Sequence, residues 1–225
     1  MSAAIAALGF SAAGCGSDEA KYEARPAPSG VQASLPAVPN VPQKPIKAGE
    51  AYTVWGASYS LRSRVKRKDV AGKKLSITGY ISKTTLPDAP ECAVHKGGKA
   101  DPEGCTPPVP AFWLCDTKDA PEAECIKVMG WASNYAQIYD AIEEYDKKKN
   151  AEDAEATDTL WGVKLPNPLP APGAKVTVKG DYSSTFTRAS QGTEADPIMG
   201  LLTYDEITYH EKPPELATLP GMKRR

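Results

Sequence analysis

The stretch "ECAVHKGGKADPEGC" (residues 91–105) puts Cys92, His95 and Cys105 close together, and Cys115 and Cys125 follow shortly downstream. Thiolates with an imidazole can hold zinc, and the same thiols can oxidise to disulfides. Structural zinc sites bring their ligands in close-spaced pairs at each end of the motif. Here only Cys92 and His95 have such spacing, while Cys105 and Cys115 stand apart. Redox C-x-x-C and haem-attaching C-x-x-C-H spacings are both absent. Which chemistry the cysteines perform is therefore a question of compartment, and the N-terminus bears on it.

Residues 2–14 carry no charge and consist largely of Ala, Ile, Leu, Phe and Gly. The run is shorter than the roughly 20 apolar residues that span a bilayer. It matches the apolar core and small-residue cleavage region of a secretory signal, so residues 1–14 are expected to be a signal peptide. The segment "SAAGC" (11–15) resembles a bacterial lipobox. That resemblance implies diacylglycerylation of Cys15, which becomes the new N-terminus and carries acyl chains such as palmitate. It also implies that Gly16, rather than Asp, permits transfer to the outer membrane on its periplasmic side, with the inner membrane or the cell surface as alternatives. Residues 15–50 then form a tether. They are poor in large hydrophobes and hold Pro26, Pro28, Pro36, Pro39, Pro42 and Pro45. Such a chain favours extended polyproline II and could reach on the order of 100 Å.

With Cys15 lipidated, four cysteines remain in an oxidising compartment, where an even number is read first as disulfides. Of the three possible pairings, Cys92–Cys105 and Cys115–Cys125 are favoured. The first closes an insertion with little apolar content of its own; the second staples two arms of a hairpin across "DTKDAPEAE". A zinc site from Cys92, His95, Cys105 and Cys115 is the rival reading. No metal and no cofactor is expected, and His95 is left as a solvated loop residue.

Five segments alternate or cluster as strands: 73–82, 111–116, 125–132, 174–186 and 200–210. In "SNYAQIYDAIEEYDKKK" (133–149), Ile138, Ala141, Ile142 and Tyr145 recur at the spacing of one helical face, with Ser133 or Asn134 placed to cap it. Ile77, Ile126, Val128, Val176 and Val178 fall on the apolar phase of their strands. Tyr80, Lys127 and Lys179 fall on the opposite phase, and Met129 and Trp131 share the face of Lys127.

Three strands, a helix and two strands is the order of an OB-fold, and "LSITGYI", "AFWLCD", the helix and "KVTVKGDY" resemble OB-fold domains of exported bacterial proteins. The resemblance covers about residues 70–210. The expected fold is thus mainly β: an OB-like five-stranded Greek-key barrel over 51–212, with a Cys-bearing insertion at 83–110 and a C-terminal tail at 213–225. Gly79 falls mid-strand, where such a barrel bends and a side chain would obstruct it. "YTVWGASYSL" (52–61) is expected to add a short strand across the barrel opening.

A net charge of −1 excludes a general polyanion binder, although "RSRVKRKDVAGKK" (62–74) is locally basic. Three readings are open for that run: a solvated loop, a contact with anionic headgroups, or a nucleic-acid footprint. The two histidines, His95 and His210, stand in no catalytic motif, and an enzyme is not expected. OB barrels usually bind through the face of their second and third strands and the flanking loops. Tyr80, Trp113, Lys127, Trp131 and Lys179 are the candidates for that face, although either tryptophan could instead fill the core. The expected function is a lipid-anchored, non-catalytic binding or scaffolding module of the bacterial envelope. Its expected partners are the membrane, through the lipid, and an envelope protein or glycan. A nucleic-acid-binding OB-fold is the alternative.

Overall fold

Both patterns expected from the sequence, period-two strands and one amphipathic helix, fold as such in the computed structural model. It describes residues 44–98, 100–147, 154–189 and 192–222; the expected signal peptide, Cys15 and the tether as far as residue 43 lie outside them. In chain order the elements are the short strands β1 (Lys47–Ala48) and β2 (Ala51–Thr53), helices α1 (Val54–Arg62) and α2 (Arg67–Val70), and strands β3 (Lys73–Thr84), β4 (Ala111–Cys115) and β5 (Ile126–Met129). Helix α3 (Tyr135–Lys147) follows, then strands β6 (Lys175–Ser183), β7 (Thr185–Ala189), β8 (Gly192–Ala195) and β9 (Leu201–Glu211).

β3 pairs antiparallel with β4, β4 with β5, and β5 runs parallel to β9. β9 returns antiparallel to β6, and β6 closes onto the other edge of β3. The result is a closed five-stranded, OB-like Greek-key barrel with α3 between its third and fourth strands. Ile77, Ile126, Val128, Val176 and Val178 are all fully buried inside it. Ile138, Ala141, Ile142 and Tyr145 of α3 enter the same core. Asn134 caps that helix, its Oδ1 accepting the Gln137 N–H at 2.9 Å.

Two glycines permit closure. A Cβ on Gly79 would stand 2.5 Å from the Cys115 carbonyl oxygen, and one on Gly180 would stand 2.0 Å from that of Thr203. Neither approach leaves room for a side chain.

The disulfides are Cys92–Cys105 and Cys115–Cys125, so all four thiols are spent and none is left to ligate zinc. Facing β4 and β5 residues pair as Leu114↔Ile126, and the second disulfide joins the next pair out. The first closes a loop that lies along α3. Lys96 pairs with Glu143 at 3.0 Å, the Gly97 N–H donates to Asp140, and Gln137 Nε2 donates to the Gly98 carbonyl. The hydrogen bond from Lys96 holds the Glu143 carboxyl below its usual range. His95 sits within this loop, its Nε2 3.3 Å from Asp101. Paired disulfides fit an oxidising compartment. Among the described residues, no helix is long and apolar enough to cross a membrane.

Three details differ from expectation. Of residues 52–61, only the first two join a strand, β2, which pairs parallel to β3; the rest belongs to helix α1. Thr53 Oγ1 accepts the Gly56 N–H, and the Asp116 carboxylate at the end of β4 accepts those of Val54 and Trp55 at 2.8 and 2.9 Å. An anion at a helix N-terminus stabilises it, and this one is supplied from across the fold. The basic run, for which a solvated loop was one of the open readings, includes the short helix α2. The strand expected over 174–186 stops at Ser183, and β7 then turns into a hairpin with β8. That hairpin presses Phe186 onto Val109, Ala111, Met129 and Leu201, making a second, smaller core.

Tyr182 and Tyr204 show how tightly the barrel is filled. Both are buried, and burial pushes both phenols well above their usual range, assisted by Asp196 at Tyr182 and by Tyr145 at Tyr204. The folded state therefore holds these protons more firmly than the unfolded chain, in which tyrosine titrates near pH 10. Their contribution to stability is fully present below about pH 10 and is lost as pH climbs from there through the folded-state values. In a spectrophotometric titration, Tyr182→Phe and Tyr204→Phe should remove ionisation amplitude only from the step that coincides with unfolding. Loss of amplitude from the reversible step near pH 10 would contradict this packing.

Candidate binding face

Strand alternation alone places Tyr80 and Trp113 outside the barrel, and a bulge selects their neighbour. The β3–β4 register runs Tyr80↔Cys115, Ile81↔Leu114 and then Lys83↔Trp113, passing over Ser82. On the other side of β4, Trp113 faces Lys127 of β5. Lys83, Trp113 and Lys127 thus form one transverse row on the outer face of the second and third barrel strands. Lys83 Nζ lies 4.9 Å and Lys127 Nζ 5.5 Å from the centre of the half-buried indole.

Both ammonium groups are also neutralised. Lys83 meets Glu122 at 3.0 Å, from the turn after β4, and Lys127 meets Glu194 of β8 at 2.5 Å. Above Trp113, between that turn and the β8 strand, lies an open hollow of about 420 Å³ that Glu122, Lys127, Glu194 and Leu201 help to line. A second row repeats the chemistry. Lys118 and Lys175 lie 5.2 and 5.5 Å from the Tyr80 ring, and Lys118 reaches Glu211 at 3.8 Å. Cation–π contact holds each ring in place, while carboxylates offset the charge of Lys83, Lys127 and Lys118.

Three of the five expected site residues, Tyr80, Trp113 and Lys127, come together on this face. Lys179 is exposed but lies further along β6, opposite Ser76 and Glu206 in register. Trp131 is fully buried in the main core, its ring 6.4 Å from Phe112, so it cannot serve the face. Gly130 explains the reversal. Its φ of +85° ends the extended run after Met129 and turns the next side chain inward. Met129, outward by alternation, is covered by the β7–β8 hairpin.

The sequence reading missed Lys83, Lys118, Glu122, Lys175 and Glu194. Lys175 was legible as the outward residue of its strand. Lys83 depends on the bulge, and Lys118, Glu122 and Glu194 depend on loop geometry that no periodicity announces. The second histidine, His210, joins a hydrogen-bonded ladder across the sheet: its Nε2 is 2.7 Å from Thr177 Oγ1, itself 2.6 Å from Thr78 Oγ1. Of the carboxylates, Asp116 caps α1, and buried Asp158 accepts the N–H groups of Ser133, Leu160 and Trp161.

No protein-family model matches the chain, and no curated protein matches it.

The two tryptophans separate stability from surface chemistry. Trp131→Ala should cost roughly 3–5 kcal/mol, as expected for truncating a fully buried aromatic. Trp113→Ala should cost under about 1.5 kcal/mol, since a half-exposed ring loses mainly its two cation–π contacts. Urea unfolding of both variants measures the contrast, and equal costs would place Trp113 in the core.

Proposed function

We propose that this protein is a lipid-anchored, non-catalytic binding module of the bacterial envelope. It is exported, anchored through Cys15 in the outer membrane on the periplasmic side, and captures an envelope protein or glycan on the outer face of β3, β4 and β5. The observation that carries this reading is Trp113, half-buried beneath a hollow whose rim is built from Lys–Glu pairs. An aromatic anchor at the centre of a polar rim is the composition of a binding hot spot. Indole also stacks well on sugar rings, and the rim offers both donors and acceptors to hydroxyl or amide groups.

The neutralised rim also weighs against the nucleic-acid alternative. Nucleic-acid affinity comes largely from cations that displace counterions from phosphates, and here Lys83 and Lys127 are already matched by Glu122 and Glu194. Two disulfides are also foreign to a nucleic-acid-bearing, reducing compartment. The non-catalytic reading rests on the duties of the polar groups: Asp116 and Asp158 hold backbone, and the four cysteines are oxidised.

A photo-crosslinking residue at position 127 should give a discrete adduct in intact cells. The same residue at position 179 should not, and Trp113→Ala should abolish the adduct. Equal labelling from both positions would refute the face. Tight, salt-sensitive binding of a single-stranded oligonucleotide, lost in Trp113→Ala, would establish the alternative instead.

The anchor has its own test, because a single acylated cysteine supplies the membrane affinity here. Cys15→Ser should move the protein from the detergent phase to the aqueous phase in a phase-partition assay. Identical partitioning of the two proteins would remove the lipid from this account.

A further inference from the structure

Helix α1 packs Val54, Ala57 and Leu61 into the main core and points Trp55, Tyr59 and Arg62 away from it. Trp55 and Tyr59 stack on each other at 4.9 Å, with Tyr59 42% exposed. At the tip of the α1–α2 connection, Val65 is 76% exposed, the most exposed large hydrophobic side chain among the described residues. Arg62, Arg64, Lys66, Arg67, Lys68 and Lys73 lie on the same stretch of chain, and Lys66 Nζ sits 5.3 Å from the Tyr59 ring. Among the described residues none of these six forms a salt bridge, whereas nearby Lys74 is paired with Asp205. Asp69 is the one acid in the run.

We propose that the α1–α2 hairpin is a docking surface for the anionic phospholipid headgroups of a bilayer. Unpaired cations supply the attraction to the surface, as juxtamembrane basic segments do. The apolar strip distinguishes a bilayer from other polyanions. Trp and Tyr partition to the headgroup level, and a protruding Val can enter the acyl boundary below it. A nucleic-acid backbone presents no such apolar layer for Val65 to enter.

A second observation agrees. The chain that enters the domain runs against α1: the Ile46 carbonyl accepts the Thr53 N–H at 3.0 Å and packs where a Cβ on Gly56 would stand. The chain thus enters the domain at the N-terminal end of α1, the helix that carries Trp55 and Tyr59. For orientation this observation rests on the anchor proposed at Cys15; the charges and their exposure do not.

The test uses the full chain with Cys15→Ser, so that no acyl chain contributes and any effect of the leader is common to every variant. Co-sedimentation with vesicles containing about 30% phosphatidylglycerol in phosphatidylcholine should exceed that with pure phosphatidylcholine by at least about tenfold, and should fall with salt. Combined Lys66→Glu, Arg67→Glu and Lys68→Glu should abolish the difference. Val65→Ser should weaken binding severalfold at unchanged charge and reduce the blue shift of tryptophan emission. Trp113→Ala should leave vesicle binding unaltered, which keeps this surface distinct from the binding face above. Equal sedimentation with both vesicle types would overturn the proposal, as would full binding by the folded triple variant. Displacement of vesicles by single-stranded oligonucleotide that tolerates Val65→Ser would also overturn it, assigning the patch to nucleic acid.

Discussion

Closure of β3 onto both of its neighbours is the constraint on which the remaining structure depends. One twelve-residue strand must pair with β4 along one edge and β6 along the other, which forces it to coil sharply. Gly79 meets that demand at the crossing with Cys115, and Gly180 meets it on the adjoining strand where the β6–β9 register shifts. Glycine is used here for its missing Cβ, since both residues lie in strands where any residue could adopt the backbone angles. Once closed, the barrel has an inside too small for anything but side chains. Isoleucine, valine, Trp131 and Tyr182 fill it, and any recognition has to occur outside.

The outside is divided by what covers it. The β7–β8 hairpin hides the Met129 and Leu201 portion of the wall behind Phe186. The Thr78–Thr177–His210 ladder satisfies its own hydrogen bonds across three strands, which leaves it a stiff polar surface with little to offer a ligand. Between these regions, the two rows built on Trp113 and Tyr80 keep their aromatic rings partly exposed. They are held by cations, three of which (Lys83, Lys127 and Lys118) are themselves paired with carboxylates, so the rings lose little side-chain entropy when a partner arrives. Glu194 belongs to the β7–β8 hairpin and reaches across to Lys127. The same hairpin that seals one patch of wall therefore furnishes one side of the next.

Strand phase was legible because burial on one face imposes a period of two. Leu75, Ile77 and Ile81 against Ser76, Thr78 and Tyr80 leave no other register consistent with a core. Helix α3 was legible for the same reason at a period of 3.6, and both disulfides followed from local loop composition. The errors occur where a long-range contact or a local break in the backbone overrides the pattern. "YTVWGASYSL" is rich in strand-forming residues, yet Asp116, remote in sequence, caps it as a helix. In retrospect, Val54, Ala57 and Leu61 carry the helical spacing. Trp131 was left open between the Lys127 face and the core; the alternation that favoured the face ends at Gly130, and the core reading holds. The binding rows were partly legible: Tyr80 follows from phase and Trp113 was a candidate for either face or core, but the register bulge at Ser82 and the reach of Glu122 and Glu194 are properties of the closed barrel.

The near-zero net charge conceals a separation that bears on function more than the total does. On the barrel face every lysine beside Trp113 has a carboxylate partner, so the field there decays within a short distance and recognition must be by contact. On the α1–α2 hairpin five bases stand without salt bridges among the described residues, so the field extends outward by about a Debye length and acts before contact. A contact-reading face suits a partner that is already concentrated nearby. A field-projecting face suits a broad charged surface whose individual molecules are interchangeable. On the proposed membrane reading the two faces divide the work: the second would set how the barrel sits on the bilayer, and that orientation would decide which direction the Trp113 hollow presents to a partner.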